Sequence, residues 1–146
     1  LYGGAMGEYT DDARVKVLAN EAFGFQRVTV ERPLRRRWEV TPDALAGAIE
    51  LGLQRDDLRA VITGLPVGAV SGTLAERFEA PDALAGRGTV RAKTGTIRGV
   101  NTLTGYVVTT DGQPLVFAFM VSGGAGQTSA RAWLDQASAT LASCGC

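Results

Sequence analysis

The sequence predicts an α+β fold in which helices flank an antiparallel sheet. A meander over residues 89–122 is indicated by three closely spaced segments with strand patterns. These segments are residues 89–96, 102–110 and 114–122. Asp111-Gly112, between the second and third segments, is a strong hairpin signal. Apolar residues at helical spacing over about 128–142 then predict a helix that packs on the sheet.

An earlier helix is predicted to begin at Thr41, because a capping hydroxyl there precedes Pro42 at the first helical position. The apolar stripe expected to face the core consists of Leu45, Ile49 and Leu53. A short apolar stretch follows at residues 58–62. The glycine-rich residues 64–73 predict a loop.

Side-chain patterning assigns faces to the predicted strands. Val90 and Ala92 should share one face of the strand at 89–96, and Gly99 should lie in the turn that follows. Residues 115–121 form a nearly continuous apolar run, which predicts a strand buried on both faces.

The first forty residues have their own pattern. Thr10 can cap a short helix that reaches about Asn20, and residues 25–31 alternate like a strand that ends before Pro33. The cluster at 35–37 consists of three arginines, which we interpret as a solvated face rather than a nucleic-acid contact.

Charge and composition exclude several classes of function. Fifteen basic and fifteen acidic residues cancel, so no global field recruits nucleic acid or an anionic membrane. The absence of histidine rules out a His-dependent triad and removes the commonest metal ligand. No apolar run approaches the ~20 residues of a membrane span. No signal peptide pattern is visible at the N-terminus.

Both cysteines, Cys144 and Cys146, stand at the end of the sequence. They fit either a frayed tail with free thiols or a paired tail of an exported protein, and the pattern alone does not choose between them. Two cysteines without histidine argue against a zinc site in one chain, so we expect no metal.

The candidate chemistry lies in Lys93-Thr94-Gly95-Thr96, at the end of the first strand of the meander. Lys93 offers a cation, Thr94 and Thr96 offer hydroxyls, and Gly95 lets another backbone approach the strand closely. An extended peptide that ends in a carboxylate could pair with this strand and anchor its charge there.

Further landmarks accompany this motif in order along the chain. They are Leu58-Arg-Ala-Val-Ile-Thr-Gly-Leu-Pro-Val67, Ser71-Gly-Thr-Leu-Ala-Glu-Arg-Phe78, Gly88-Thr-Val-Arg-Ala-Lys-Thr-Gly-Thr-Ile97, Gly105-Tyr-Val107 and Leu115-Val-Phe-Ala-Phe119. Together with the Cys-Gly-Cys ending, they make residues 41–146 resemble the C-terminal part of penicillin-binding serine D-alanyl-D-alanine carboxypeptidases and endopeptidases. Lys-Thr-Gly is one of three active-site elements of that group.

The resemblance implies part of a β-lactamase/penicillin-binding-protein fold, an extracytoplasmic location and no cofactor. It implies that the partner is a peptidoglycan stem peptide or a β-lactam. Lys93 and Thr94 would bind the terminal carboxylate, with Gly95 beside them. The Thr96 N–H would contribute to an oxyanion hole, where one such donor lowers the barrier by about 3 kcal/mol.

The other two elements of the family, Ser-x-x-Lys and Ser-x-Asn, are missing. None of the five serines has Lys at the third following position or Asn at the second, and the sequence holds only two lysines, Lys16 and Lys93. No nucleophile is therefore found, and a carboxypeptidase of this class would be inactive with these residues alone.

Residues 20–35 instead resemble a segment of type I restriction methyltransferase subunits, although the catalytic and cofactor motifs of those enzymes are absent. We therefore expect residues 1–40 to be a foreign or appended segment and 41–146 the carboxypeptidase-like part. The alternatives to a carboxypeptidase function are a non-catalytic fusion remnant that self-associates through a strand edge and, more weakly, a DNA-modification accessory.

Overall fold

The structure is a computed structural model that describes residues 40–97, 99–122 and 126–145. The helix and strand predicted within residues 10–31 lie outside the described residues. The same is true of the arginine cluster at 35–37 and of the segment with methyltransferase resemblance.

Helix α1 spans Pro42–Gln54 and begins as predicted, with the Thr41 hydroxyl accepting a hydrogen bond of 3.1 Å from the Ala44 N–H. Leu45 and Ile49 are buried, as predicted. Leu53 is 39% exposed, so the prediction that it faces the core is wrong. The helix meets its neighbour at Gly52 instead. A Cβ added to Gly52 would lie 2.7 Å from Ile62 Cδ1, so a larger residue here would have to displace the Ile62 side chain.

Short helical turns and a loop connect α1 to the sheet. A 3₁₀ turn at Asp56–Leu58 leads into α2, Arg59–Thr63, and another 3₁₀ turn spans Pro81–Gly86. The chain that follows α2, residues 64–74, is called the edge loop below. It contains the 3₁₀ turn Gly72–Leu74. The loop predicted at 64–73 is therefore confirmed.

Three antiparallel strands form the sheet of the described residues, in the order β1-β2-β3. They are β1 (Arg91–Ile97), β2 (Val100–Val108) and β3 (Pro114–Ser122). Helix α3, Gln127–Ala142, follows. The predicted meander and C-terminal helix are confirmed. Gly112 has a φ of +85° in the β2–β3 turn, a backbone conformation that glycine adopts without strain.

Two clusters of apolar side chains cover the two faces of the sheet. The larger lies between the sheet and α3 and contains Ala92, Leu103, Phe117 and Leu134, and Val90 is buried in the same cluster as predicted. The smaller lies between the sheet and α1–α2, with Ile49, Ile62 and Leu65 packed near Tyr106 and Val116. The sheet is therefore the middle layer of three.

Strand β3 is less buried than its apolar sequence predicts. Only Phe117 is buried, and the neighbouring apolar side chains are partly accessible, so the prediction of burial on both faces is wrong. The reason is position, because β3 is the last strand of the sheet that the structure describes. The Phe119 ring packs edge-on against Trp133 at 5.7 Å, and Trp133 itself is 50% exposed.

The C-terminal residues are tied to the β2–β3 turn. The N–H and the hydroxyl of Thr110 donate to the Cys144 carbonyl at 3.1 and 2.8 Å. Cys144 is disulfide-bonded, so the interpretation of a frayed tail with free thiols is wrong for this residue. None of the described helices is long and apolar enough to cross a membrane.

Candidate functional site

The predicted motif lies on β1, which forms one side of the described sheet. The edge loop covers only the beginning of this strand. There, the Ala92 N–H donates outward to the Pro66 carbonyl at 2.9 Å, and Val67 bridges Arg91. Because hydrogen-bonding direction alternates along an antiparallel strand, Thr94 and Thr96 also direct their N–H and C=O groups outward, beyond the end of that cover.

Lys93 is 8% exposed and lies opposite Thr104 of β2, on the sheet face covered by α1 and α2. Its ammonium donates to the Thr94 carbonyl at 2.9 Å and to Thr94 Oγ1 at 3.1 Å. Burial lowers the pKa of Lys93, because desolvation disfavours the charged form. The strand edge therefore has a partly desolvated cation bound to the oxygen atoms of the next residue.

The two threonines of the motif lie on the opposite face, toward α3. Thr94 Oγ1 lies 3.0 Å from Thr73 Oγ1, which projects from the edge loop. Thr96 Oγ1 lies 3.4 Å from the side-chain oxygen of Asn101, its cross-strand partner. Both hydroxyls are therefore held by neighbours that the motif alone does not reveal.

Gly95 is constrained by β2 as well as by the open edge. A Cβ at this position would overlap the hydroxyl of Thr102, its cross-strand partner. The missing side chain makes room for that hydroxyl, in addition to the close approach of a ligand backbone that the sequence suggests.

A cleft of about 290 Å³ opens beside this edge, between the edge loop, the sheet and α3. Its lining residues are Thr73, Glu76, Arg77, Thr94, Gly95, Thr96, Asn101, Thr102, Arg131 and Leu134. Three of the four predicted site residues line the cleft directly. The fourth, Lys93, reaches its border through the hydrogen bonds to Thr94. The lining carries charges of both signs, because Glu76 is anionic and the guanidinium of Arg77 is paired with Asp135. The hydroxyl groups and Arg131 are the lining groups that can donate to a small anionic group.

A buried ion pair joins Arg77, three residues after the edge loop, to Asp135 of α3 at the wall of this cleft. Arg77 Nε donates to both carboxylate oxygens of Asp135, at 3.0 and 2.9 Å, and its NH2 group lies 2.7 Å from Oδ1. Each side chain is only 11% exposed. The Phe78 N–H also contacts Asp135, at 3.4 Å. This pair fixes the cleft wall four residues after Thr73.

Several of these residues carry no recognisable signal in the sequence. Thr73 and Arg77 stand in the landmark Ser71-Gly-Thr-Leu-Ala-Glu-Arg-Phe78, but nothing in its pattern shows that they face Thr94 or Asp135. Arg131 is the only basic residue of α3, and nothing in the helical pattern distinguishes it from an ordinary exposed cation. Within the described residues, no group of three or more His, Cys, Asp or Glu side chains could hold a metal ion.

Lys-Thr-Gly is an active-site element of penicillin-binding proteins and β-lactamases, and here it lies on an outer strand of an antiparallel sheet, beside a cleft. The family model of the D-Ala-D-Ala carboxypeptidase 3 (S13) family matches residues 34–143. The chain belongs to this family.

Two mycobacterial relatives match the chain. It is 43% identical over 90 residues to carboxypeptidase DacB of Mycolicibacterium smegmatis, an alignment that covers 61% of this chain and 19% of that protein. It is 36% identical over 112 residues to carboxypeptidase Rv3627c of Mycobacterium tuberculosis, covering 76% of this chain and 23% of that protein. The chain therefore spans about a fifth of the length of these relatives.

Solved structures share the fold. Penicillin-binding protein 4 of Haemophilus influenzae in complex with a β-lactam matches with a TM-score of 0.65 and 20% identity, over 86% of this chain and 31% of that one. The predatory endopeptidase Bd0816 of Bdellovibrio bacteriovorus matches with a TM-score of 0.58 and 17% identity, over 88% and 35% of the respective chains. At these identities the likeness shows the fold alone.

Proposed function

We propose that this chain carries the carboxylate-binding strand and one oxyanion donor of a serine-type D-Ala-D-Ala carboxypeptidase that acts on peptidoglycan stem peptides. The observation that carries the proposal is the edge of β1. There, a buried lysine bonds to Thr94 while the backbone of Thr94 and Thr96 is directed outward beside a cleft. Peptidoglycan lies outside the cytoplasm, so the proposed location is the periplasm or the cell wall.

In this proposal each residue of the motif has a separate task. The Lys93 ammonium attracts the terminal carboxylate of the peptide or of a β-lactam, and the Thr94 hydroxyl donates a hydrogen bond to it. The outward N–H of Thr96 polarises the carbonyl under attack and stabilises the charge that develops on its oxygen. Gly95 keeps the edge accessible between them.

In this proposal, none of the 146 residues is the nucleophile that becomes acylated. Three of the five serines bond to backbone groups: Ser71 Oγ accepts from the Val67 N–H, while Ser138 and Ser143 donate to helix carbonyls. A hydroxyl without an adjacent base is a weak nucleophile. Lys93 does not supply that base to Thr94, because its ammonium already donates to Thr94 Oγ1.

Two measurements test the proposal. The intact mass of the chain incubated with a labelled penicillin should show no covalent adduct. NMR titration with a peptide that ends in D-Ala-D-Ala should show weak binding, lost in Lys93→Ala and retained in Lys16→Ala, the other lysine of the sequence. A single adduct abolished by Ser71→Ala or Ser122→Ala would contradict the proposal and identify a nucleophile.

A second candidate, self-association through β3, is favoured by one observation. The nine residues Pro114–Ser122 contain no charged side chain, whereas sheet edges that avoid pairing are commonly protected by charges. Light scattering across a concentration series should then show a dimer that Met120→Lys dissociates. The alternative of a DNA-modification accessory depends on residues 20–37, outside the described residues, and stays a prediction.

A further inference from the structure

The Thr94 hydroxyl is the centre of a short chain of polar contacts. Lys93 Nζ donates to it from one side at 3.1 Å, and Thr73 Oγ1 lies on another side at 3.0 Å. An ammonium can only donate, whereas a threonine hydroxyl has one proton and two acceptor sites. One acceptor site of Thr94 is therefore used by Lys93, and its remaining capacity depends on the direction of the bond to Thr73.

Thr73 is held in place by its own surroundings. Its neighbour Leu74 is completely buried in the larger core, and the Leu74 carbonyl accepts a hydrogen bond of 2.9 Å from the Ala69 N–H. Gly72, which precedes Thr73, has a φ of +55°, a backbone conformation that glycine adopts without strain. The Thr73 side chain is exposed in the cleft lining, so it is positioned by the backbone and is not itself part of the core.

We propose that Thr73 is a positioning residue that makes the Thr94 hydroxyl a donor to a ligand carboxylate. The inference rests on the proposed function, since it assumes that a carboxylate enters this cleft. When Thr73 donates to Thr94, both acceptor sites of Thr94 are filled, by Thr73 and by Lys93. The only capacity left to Thr94 is its proton, which then points to an acceptor in the cleft.

In the ligand-free protein the same contact can run in the opposite direction, with Thr94 donating to Thr73 as its distance and angles allow. Binding of an anion requires only that the two hydroxyls rotate, because each remains within hydrogen-bonding distance of the other. Before binding, Thr73 keeps the Thr94 side chain in one rotamer. After binding, it donates to the second acceptor site of the Thr94 hydroxyl. Less conformational entropy of Thr94 is therefore lost when the ligand binds.

The test compares Thr73→Val, which removes the hydroxyl, with Thr73→Ser, which retains it. Binding of acetyl-D-Ala-D-Ala and of its C-terminal amide is followed by NMR. Loss of one neutral hydrogen bond corresponds to about a fivefold weaker affinity. We expect that loss for the carboxylate peptide in Thr73→Val, near-wild-type affinity in Thr73→Ser, and little change for the amide. Equal or tighter carboxylate binding by Thr73→Val would overturn the inference, as would failure of Thr73→Ser to restore it.

A measurement without ligand separates this inference from the proposed function. Three-bond couplings to Thr94 Cγ2 report its χ1 rotamer. They should indicate one rotamer in the wild type and in Thr73→Ser, and averaging in Thr73→Val. If the wild type binds neither peptide, the proposed function fails while these couplings still decide whether Thr73 positions Thr94. Unchanged couplings in Thr73→Val would refute the positioning role directly.

Discussion

The ion pair between Arg77 and Asp135 should be among the most sensitive points of the fold. Replacing Asp135 by alanine would leave the Arg77 guanidinium buried at 11% exposure, without the carboxylate that accepts from both its Nε and its NH2 group. The Phe78 N–H would lose the same partner. Breaking a buried pair by removing one member costs about 3–5 kcal/mol, mostly because the remaining charge is uncompensated.

For a chain of 146 residues, 3 kcal/mol corresponds to a fall in Tm of roughly 10 °C. We would measure thermal unfolding of Asp135→Ala by circular dichroism, beside the double variant Arg77→Met/Asp135→Leu. The double variant removes both charges and retains apolar volume, so it should recover much of the lost stability. Its recovery would show that the loss comes from an unpaired charge rather than from lost packing.

An exposed ion pair in the same chain provides the matched control. Arg55 and Asp57 approach to 2.6 Å, but their side chains are 45% and 64% exposed. Asp57→Ala should leave Tm essentially unchanged, because solvent screens such a pair. If Asp135→Ala were as mild as Asp57→Ala, the argument that burial makes the Arg77–Asp135 pair structurally important would be refuted.

Three further predictions concern the sheet. Within the described residues Thr104 Oγ1 is buried with no hydrogen-bond partner, so Thr104→Val should raise the free energy of unfolding by about 1 kcal/mol in a denaturant titration, and a decrease would reveal an overlooked partner. Gly95→Ala should cost about 1 kcal/mol because the Thr102 hydroxyl can rotate away, whereas Gly105→Ala should cost about 3 kcal/mol or more, since its Cβ would lie 2.5 Å from the Ala92 Cα. Equal costs would contradict that distinction. Burial lowers the pKa of Lys93 from its ordinary value of 10.5, so the affinity for a carboxylate should be highest and constant below that lowered pKa and should fall as the pH rises through it. An affinity that stays constant up to pH 10.5 would show that the Lys93 ammonium does not bind the anion.

Most of the fold follows from local sequence patterns. The Asp111-Gly112 turn, the β-branched residues of β2 and the Thr41-Pro42 start of α1 each specify their element through short-range chemistry, and the structure has all three. Burial was predicted less well. The exposure of Leu53 depends on how closely α1 meets α2 at Gly52, and that of β3 depends on its place in the sheet order. Neither is encoded in local periodicity.

The candidate site shows the same division between local and distant information. Lys93, Thr94, Gly95 and Thr96 are adjacent in sequence, so a motif could reveal them. Thr73 lies 21 residues before Thr94, and Asp135 lies 58 residues after Arg77. Such pairs meet only because the edge loop folds back along β1 and α3 packs across the sheet. Neither contact leaves a sign in the local sequence pattern around its residues.

The way the edge loop covers β1 also limits what can lie along that strand. Pro66 and Val67 already occupy the ladder positions beside Ala92 and Arg91, so the outward groups of Thr94 and Thr96 are the next ones that a second strand can reach. A chain that continued past Lys93 in the same ladder would collide with the loop. The loop therefore blocks the ladder beyond Lys93 and so fixes the register of a strand that pairs with β1. A chain that terminates beside Thr94 fits this edge, whereas a longer chain that continues along β1 does not.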